Sequence, residues 1–472
     1  MSIASVLSSS ALFGFRRHLR NPALLFVALA APIAAHYMVP EIEATYAVLA
    51  INGQVPVRTA PILGLELGVL AATLLTPLAY IFLRAGPSRT RPWQITDITP
   101  QMRSLWVLGR WVSDTFTLWA LLAALTVSGL VLGLFRLEGD ADIFQTVIAL
   151  WLPAAPALAL IAAISLILAS RPVTRGWFGD VIFLIVWIGL IITGIIGTTD
   201  SETDQIMVNP MADAFGFVSP VIGAVDFPVT EVSIGGSTNT GERVMTDAWR
   251  GVTDISYVSA RLAWLGLAAA LALFAGMVWA PVKVRSPKAA KTSINQSALA
   301  AASIPNIPFN PPQTVPSGAP RVVAVILSEV RLMLAARIWV LVLLGAGVAG
   351  AVLPFRSAAG PLLMFCLIFP IADASARWQG RTTEHLLDTL GPQRISRSLI
   401  LFFAAVFVAA VITMPAAFRA VLQGEGHWLT HMAAISIAMP GLLVLLGTIT
   451  KSAVTGRLVM LIIWYVYLSS AG

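Results

Sequence analysis

The chain has a single cysteine, Cys366, set in an apolar run of its 472 residues. No disulfide can close within it, and no thiolate cluster can hold a metal. Histidine is almost as scarce, and His18, His36, His385, His427 and His431 form no HExxH or comparable cluster. His427 and His431 share an i, i+4 spacing that can in principle hold a metal, but only Glu425 lies beside them. The pair therefore reads better as part of a loop at a membrane interface. No lysine follows a glycine anywhere, so no GxxxxGK[ST] stretch exists. A phosphate-cradling loop needs those glycines and that lysine, and the chain is not expected to bind ATP in the usual way.

Charge is also in short supply: 11% of residues are charged and 57% are hydrophobic. A soluble chain of this length carries about 25% charged residues. No water-soluble fold could hide so much apolar surface, so lipid must act as solvent for much of it. The formal charge of +7 does not point to nucleic acid, because the basic residues are scattered among loops and form no single stripe. Arg16, Arg17 and Arg20 follow an amphipathic stretch instead of preceding a short apolar core, so Met1–Arg20 is not expected to be a cleavable signal peptide.

A membrane-spanning helix needs about 20 mostly apolar residues. Stretches of that kind lie near 23–40, 61–84, 108–135, 143–169, 178–199 and 259–280, then near 337–355, 357–374, 396–418, 430–449 and 453–470. The short turn at 355–357 makes that pair either a tight hairpin or a re-entrant pair. The expected fold is an all-α integral membrane protein of about 11–12 spans.

Basic residues collect on one side of this arrangement: Arg16, Arg17 and Arg20; Arg84, Arg89, Arg91, Arg103 and Arg110; Lys283, Arg285, Lys288 and Lys291; Arg381, Arg394 and Arg397. The opposite loops are acidic or nearly neutral, as with Glu41 and Glu43, or Glu138, Asp140 and Asp142, despite single arginines such as Arg58, Arg136, Arg356 and Arg419. By the positive-inside bias the N-terminus is expected in the cytoplasm of a plasma (inner) membrane, with 200–258 outside. Residues 282–320 are basic and then Ala-, Asn- and Pro-rich, a composition that cannot pack a core and reads as a flexible linker. It divides the chain into a first half, 1–281, and a second, 321–472.

The halves look alike in plan. Each opens on a basic amphipathic stretch, Leu12–Arg20 or Ile326–Arg337, suited to lie in the interface with its apolar face down. In each, the second span is followed by a cytoplasmic segment of similar design. The first carries Arg89, Trp93, Asp97, Pro100, Gln101 and Arg103; the second carries Arg381, Glu384, Leu386, Leu387, Asp388, Pro392, Gln393 and Arg394. Both place an amphipathic turn before Pro-Gln, then basic residues, then a span. Proline suits that break because it starts a helix well but cannot donate into a continuing one.

In this order of elements the chain resembles the permease subunits of type-2 ABC exporters, each half of which has an interfacial elbow helix, two spans, a short coupling helix and further spans. The run from Arg381 to Pro392 carries the resemblance, with Ser259–Trp264 entering an Ala/Leu-rich span and Phe217–Pro220 where such permeases place a re-entrant element. The resemblance implies a translocation pathway in this chain and ATP and magnesium on a separate ATPase subunit, present in two copies. Its docking sites would be the two cytoplasmic segments. Six spans per half make twelve, so with eleven counted either the second half lacks its last helix or 337–374 holds another.

Glu66 lies within the second span and is the candidate pathway residue, with a packed structural role as the alternative; Asp114, Asp180 and Asp373 read as residues of the cytoplasmic interface. Pro153, Pro156, Pro370 and Pro440 interrupt spans, as kinks or as hinges. Two other function classes fit the composition: an ion-gradient-driven secondary transporter, which needs buried charge pairs at a midplane site, and a membrane scaffold or transferase of envelope biogenesis. An enzyme would cluster His, Asp or Glu at one membrane face, and no such cluster is seen.

Overall fold

The computed structural model describes residues 3–20, 22–84, 102–175, 177–196, 209–238, 241–280, 319–335, 337–377, 394–450 and 452–471. The linker 282–320, apart from Ala319 and Pro320, which already belong to a helix, and nearly all of both cytoplasmic segments lie outside the described residues. In chain order the first group of elements is α1 (Ile3–Leu19), α2 (Pro22–Met38), β1 (Tyr46–Ile51), β2 (Val55–Pro56), α3 (Ala60–Thr73), α4 (Leu75–Arg84), α5 (Arg103–Arg136), α6 (Ile143–Ser170), α7 (Trp177–Ile196), α8 (Ser219–Ile222), β3 (Val232–Thr238), β4 (Arg243–Val244), α9 (Ala248–Thr253) and α10 (Ile255–Met277). The second is α11 (Ala319–Met333), α12 (Arg337–Val352), a π turn at Phe355–Ala359, α13 (Gly360–Arg377), α14 (Arg394–Leu422), α15 (Leu429–Ala433), a π turn at Ala434–Ala438, α16 (Met439–Thr450) and α17 (Ala453–Ala471).

Each apolar stretch found in the sequence falls on a helix. Among the described residues five helices are long and apolar enough to cross a membrane alone, or up to seven if each of two bent pairs is one span. The shorter apolar helices occupy the remaining stretches, and α12 and α13 are separate helices joined through a π turn. Outward faces carry apolar rows at helical spacing: Leu25, Leu29 and Ile33 on α2, and Phe403, Phe407, Met414 and Phe418 on α14. Water would not tolerate rows of this kind, whereas lipid tails cover them without cost. The protein is an α-helical integral membrane protein.

The basic amphipathic stretch before the first span is longer than the sequence alone suggests, because α1 starts at Ile3. It meets α2 at a 70° bend and packs along α5, where Ser10 Oγ donates to the Trp106 carbonyl oxygen at 2.9 Å. In the later elements α11 packs on α14 in the same manner.

Helix α3 is enclosed by protein, and all fourteen of its residues are buried. Gly64 and Gly68, four apart on one face, bring its backbone against α6. A Cβ on Gly64 would overlap the Thr146 carbonyl oxygen, and one on Gly68 would lie 2.6 Å from that of Leu150. On the neighbouring face Leu63 and Leu67 fill notches at Gly133 and Gly129 of α5. This is small-xxx-small packing, in which association in lipid comes from close van der Waals fit. Pro153 and Pro156 lie within the unbroken helix α6.

One apolar core is built from residues of α2 to α9, and a second from residues of α11 to α17. Helix α17 joins them, giving Val454 and Leu458 to the first and Met460 and Leu461 to the second. At one end of the first core sits a small β-structured cap: β1 pairs antiparallel with β3 and β2 parallel with β4. The Asn52-Gly53 turn has both residues at positive φ (51° and 77°), and the Asn52 side chain accepts from the amides of Thr230 and Glu231.

Candidate functional site

The candidate region is the contact between the two cores, where α17 lies against α2 and α4. A charged network spans this contact at the end away from the strands, an apolar cavity lies beside α17, and a second charged cluster lies within the first core at the strand-bearing end.

At the strand-bearing end Glu66 is 2% exposed, and Arg58 donates through Nε to its Oε2 at 3.2 Å. The same guanidinium donates through Nη1 to the Pro40 carbonyl oxygen at 2.7 Å, while the Arg58 amide donates to Glu138 at 2.8 Å. Arg243 from β4 holds the other Glu138 oxygen at 2.5 Å. Arg136 binds Glu41 at 3.2 Å together with the carbonyl oxygens of His36 and Val39. The arginines that run against the charge bias of the loops therefore have local partners. They tie the starts and ends of α2, α3 and α5 together.

A second construction braces the chain between α7 and α10. Asp213 accepts four backbone N–H groups, from Gly216 and Phe217 at one oxygen and from Val218 and Ser219 at the other, at 2.8–3.1 Å. Arg261 of α10 is fully buried and donates to the carbonyl oxygens of Ala214, Pro210 and Asp213, and its guanidinium stacks on the Tyr257 ring at 5.1 Å. Gly216 is required between them: its φ is +70°, and a Cβ would meet Arg261 Nη1 at 2.6 Å.

The cavity of about 80 Å³ is walled by α2, α4, α5, α6 and α17, and every lining side chain is Ala, Val, Leu, Ile or Phe. Below it, at the opposite end, Arg84 pairs with Asp180 at 2.5 Å and Tyr80 stacks on Phe183 at 3.7 Å. Arg457 of α17 pairs with Asp373 of α13 and lies within electrostatic reach of Asp180. The four charges thus bridge the two cores. Deeper, His18 Nε2 meets Asp114 Oδ1 at 2.7 Å, both buried.

Of the residues singled out in the sequence, Glu66 stands in the ion-paired cluster at the strand-bearing end. Asp114 is 1% exposed and packed under α1, while Asp180 and Asp373 lie at the edge of the helical bundle, in the inter-core network. Arg103 begins α5 and donates to the Trp279 carbonyl oxygen at 3.4 Å, and Arg394 begins α14. Arg89, Trp93, Asp97, Pro100, Arg381, Glu384, Leu386, Leu387, Asp388 and Pro392 lie outside the described residues. His427 and His431 are exposed, and among the described residues no three His, Cys, Asp or Glu side chains gather as a metal site.

The sequence reading missed Asp213 and the His18–Asp114 pair. A signal for the second existed in the basic cluster of α1, which needs an anionic partner once α1 is buried against α5. The chain matches no family model, no curated protein and no solved structure.

Proposed function

We propose that this chain is the membrane-spanning permease component of an ATP-driven exporter. In this reading it consists of two pseudo-repeated halves, its substrate passes between them, and hydrolysis occurs on a separate ATPase subunit bound in two copies. The observation that carries the reading is a recurrence of helix contacts. In the first half α1 and α2 pack on α5, α3 on α6, and α5 on α6; in the second, α11 and α12 pack on α14, α13 on α16, and α14 on α16. A helix order and contact pattern that recur in this way are what duplication of one permease unit produces, with α1 and α11 as elbow helices.

A charged network across the inter-core contact and an apolar space beside it suit a closed state of an alternating-access pathway. Energy would arrive through the cytoplasmic segments Arg89–Arg103 and Arg381–Arg397, whose apolar residues can seat in a groove of a partner while their charges fix register. The N-terminus and both segments would face the cytoplasm of the plasma (inner) membrane.

Replacing Leu386 and Leu387 by Asp tests this assignment. Expression and elution as a single species are expected to stay near wild type, while ATPase copurification and substrate-stimulated hydrolysis are lost. A double variant that still retains its ATPase at the wild-type ratio would show that 381–397 is not the coupling element.

A further inference from the structure

Helix α17 gives side chains to both cores, and two features beside it are incomplete. The first is electrostatic. Arg457 pairs with Asp373 through Nη2, and its guanidinium carbon lies over the Phe369 ring, 5.8 Å from the centroid. Its Nε is buried and has no hydrogen-bond partner among the described residues. In the first core, Asp180 receives Arg84 Nε at 2.5 Å and the Tyr80 hydroxyl at 3.0 Å, both at Oδ1. Its Oδ2 accepts no hydrogen bond among the described residues, and about half of the side chain is exposed. Arg457 acts on Asp180 through its charge, yet no ion pair joins the two among the described residues. An unused donor on α17 therefore lies within electrostatic reach of an unused acceptor on α7. A buried N–H costs free energy for as long as it lacks a partner.

The second is a void. The cavity of about 80 Å³ is bounded by Leu458 and Ile462 of α17 and, on the α4 side, by Leu75, Leu78, Ala79 and Phe82. Every lining side chain is apolar, so a water molecule finds none of the polar partners it needs there. Side chains that border an empty space forgo the dispersion contacts on that side. Leu458 follows Arg457 in the chain and Tyr80 follows Ala79, so void and charges are neighbours along the same two helices. Asp180 is itself held to α4 through Tyr80 and Arg84. One displacement, of α17 toward α4, fills the void and carries Arg457 toward Asp180.

We propose that α17 is a latch with two positions: the one seen, in which Arg457 holds Asp373 alone, and a second in which Leu458 and Ile462 occupy the cavity and Arg457 bridges Asp373 and Asp180. A guanidinium suits this role, because its five N–H donors lie in one plane and can serve two carboxylates. Closing the latch gives the buried Nε its partner and restores the contacts that the void lacks. Opening it returns the Asp180 oxygen to water. The latch needs only the two cores and stands apart from the exporter reading; within that reading it holds the halves together at the end away from the strands.

Spin labels on the full-length chain in lipid nanodiscs test this. In a Cys366→Ser background, Val173→Cys before α7 and Ile463→Cys on α17 place nitroxides at exposed positions, and pulsed dipolar spectroscopy reads the distance between them. Two populations are expected, the shorter being the closed latch. Asp180→Asn should lower the ratio of shorter to longer about tenfold, the worth of one charge-assisted hydrogen bond. Asp373→Asn should raise it by a similar factor, because Arg457 is then left with Asp180. Ala79→Leu fills the void from the α4 side and should deplete the shorter population as Asp180→Asn does. If the two Asp variants move the ratio in the same direction, or neither moves it, Arg457 merely stabilises the fold and the latch is refuted. A single distance that stays single in Asp373→Asn refutes it equally. Asp373→Asn decides alone where Asp180→Asn or Ala79→Leu does not elute as a single species. No ATPase takes part, so these results are independent of those from the Leu386 and Leu387 variant.

Discussion

Arg58→Met is expected to destabilise the protein by about 3–5 kcal/mol, the cost of stranding a buried charge without its partner. Among the described residues Glu66 has no second cation in contact: Arg58 Nε is its ion-pair partner at 3.2 Å, and the packing around α3 keeps water away. The same change also leaves the Pro40 carbonyl oxygen without its donor. The double variant Arg58→Met, Glu66→Leu should recover most of the loss, because an apolar pair of similar volume is often no worse than a buried ion pair. Thermal unfolding of detergent-solubilised protein, followed by size-exclusion chromatography, measures the cycle. If both single variants melt as wild type does, the clamp is not structural. Transport adds a second readout: a pathway role for Glu66 predicts that the double variant is stable yet inactive, and a purely structural role predicts that it is stable and active.

Arg261→Met is expected to release the braced turn between α7 and α10. Three carbonyl oxygens lose their donor inside a packed element, at about 1–3 kcal/mol for each one left unsatisfied. Asp213 would stay tied to its four amides but without the neighbouring positive charge. Arg261→Lys should not rescue the loss, because one ammonium cannot reproduce a planar fork aimed at carbonyls of three residues. Ser219→Cys in a Cys366→Ser background reports the change directly. Its maleimide reactivity should rise sharply with Arg261→Met and stay low without it. Unchanged reactivity together with unchanged melting would mean that Arg261 fills space and does not hold the turn.

Both predictions concern residues whose type was visible in the sequence but whose role was not. Hydropathy locates α3 as an apolar helix, and so it is; hydropathy cannot distinguish a helix bathed in lipid from one enclosed by protein. The sign of enclosure was Gly64 and Gly68, four apart, a small-residue face that serves only where another backbone comes close. Glu66 is a second sign, on the side away from the glycines, since a carboxylate in a fully enclosed helix must find a cation, and Arg58 stood eight residues upstream. Arg58 and Arg136 looked like exceptions to the charge bias because loop counting treats each arginine as solvated, and here both are tied to Glu66, Glu41 and backbone carbonyls.

The β cap escaped a reading tuned to spans of about 20 residues, although Asn52-Gly53 is a strong turn signal between β-branched and aliphatic residues. Asp213 could not be found at all from spacing, because its four partners are backbone amides and carry no side-chain signature. His18 and Asp114 lie 96 positions apart and meet only because α1 folds back along α5. What the sequence did reveal was the order of apolar helices and the likeness of the two amphipathic openings. These depend on local composition and not on long-range contact.

If this chain carries the pathway and another subunit carries the hydrolysis, stripping the partner separates the two. Membranes containing the tagged chain are solubilised gently, purified, and assayed for magnesium-dependent ATP hydrolysis before and after a chaotrope wash that removes peripheral subunits. The account predicts hydrolysis in the first preparation, none in the washed chain, no labelling of the washed chain by azido-ATP, and recovery when the washed fraction is added back. Hydrolysis by the washed chain itself, with the tagged polypeptide as the only band labelled by azido-ATP, would contradict it.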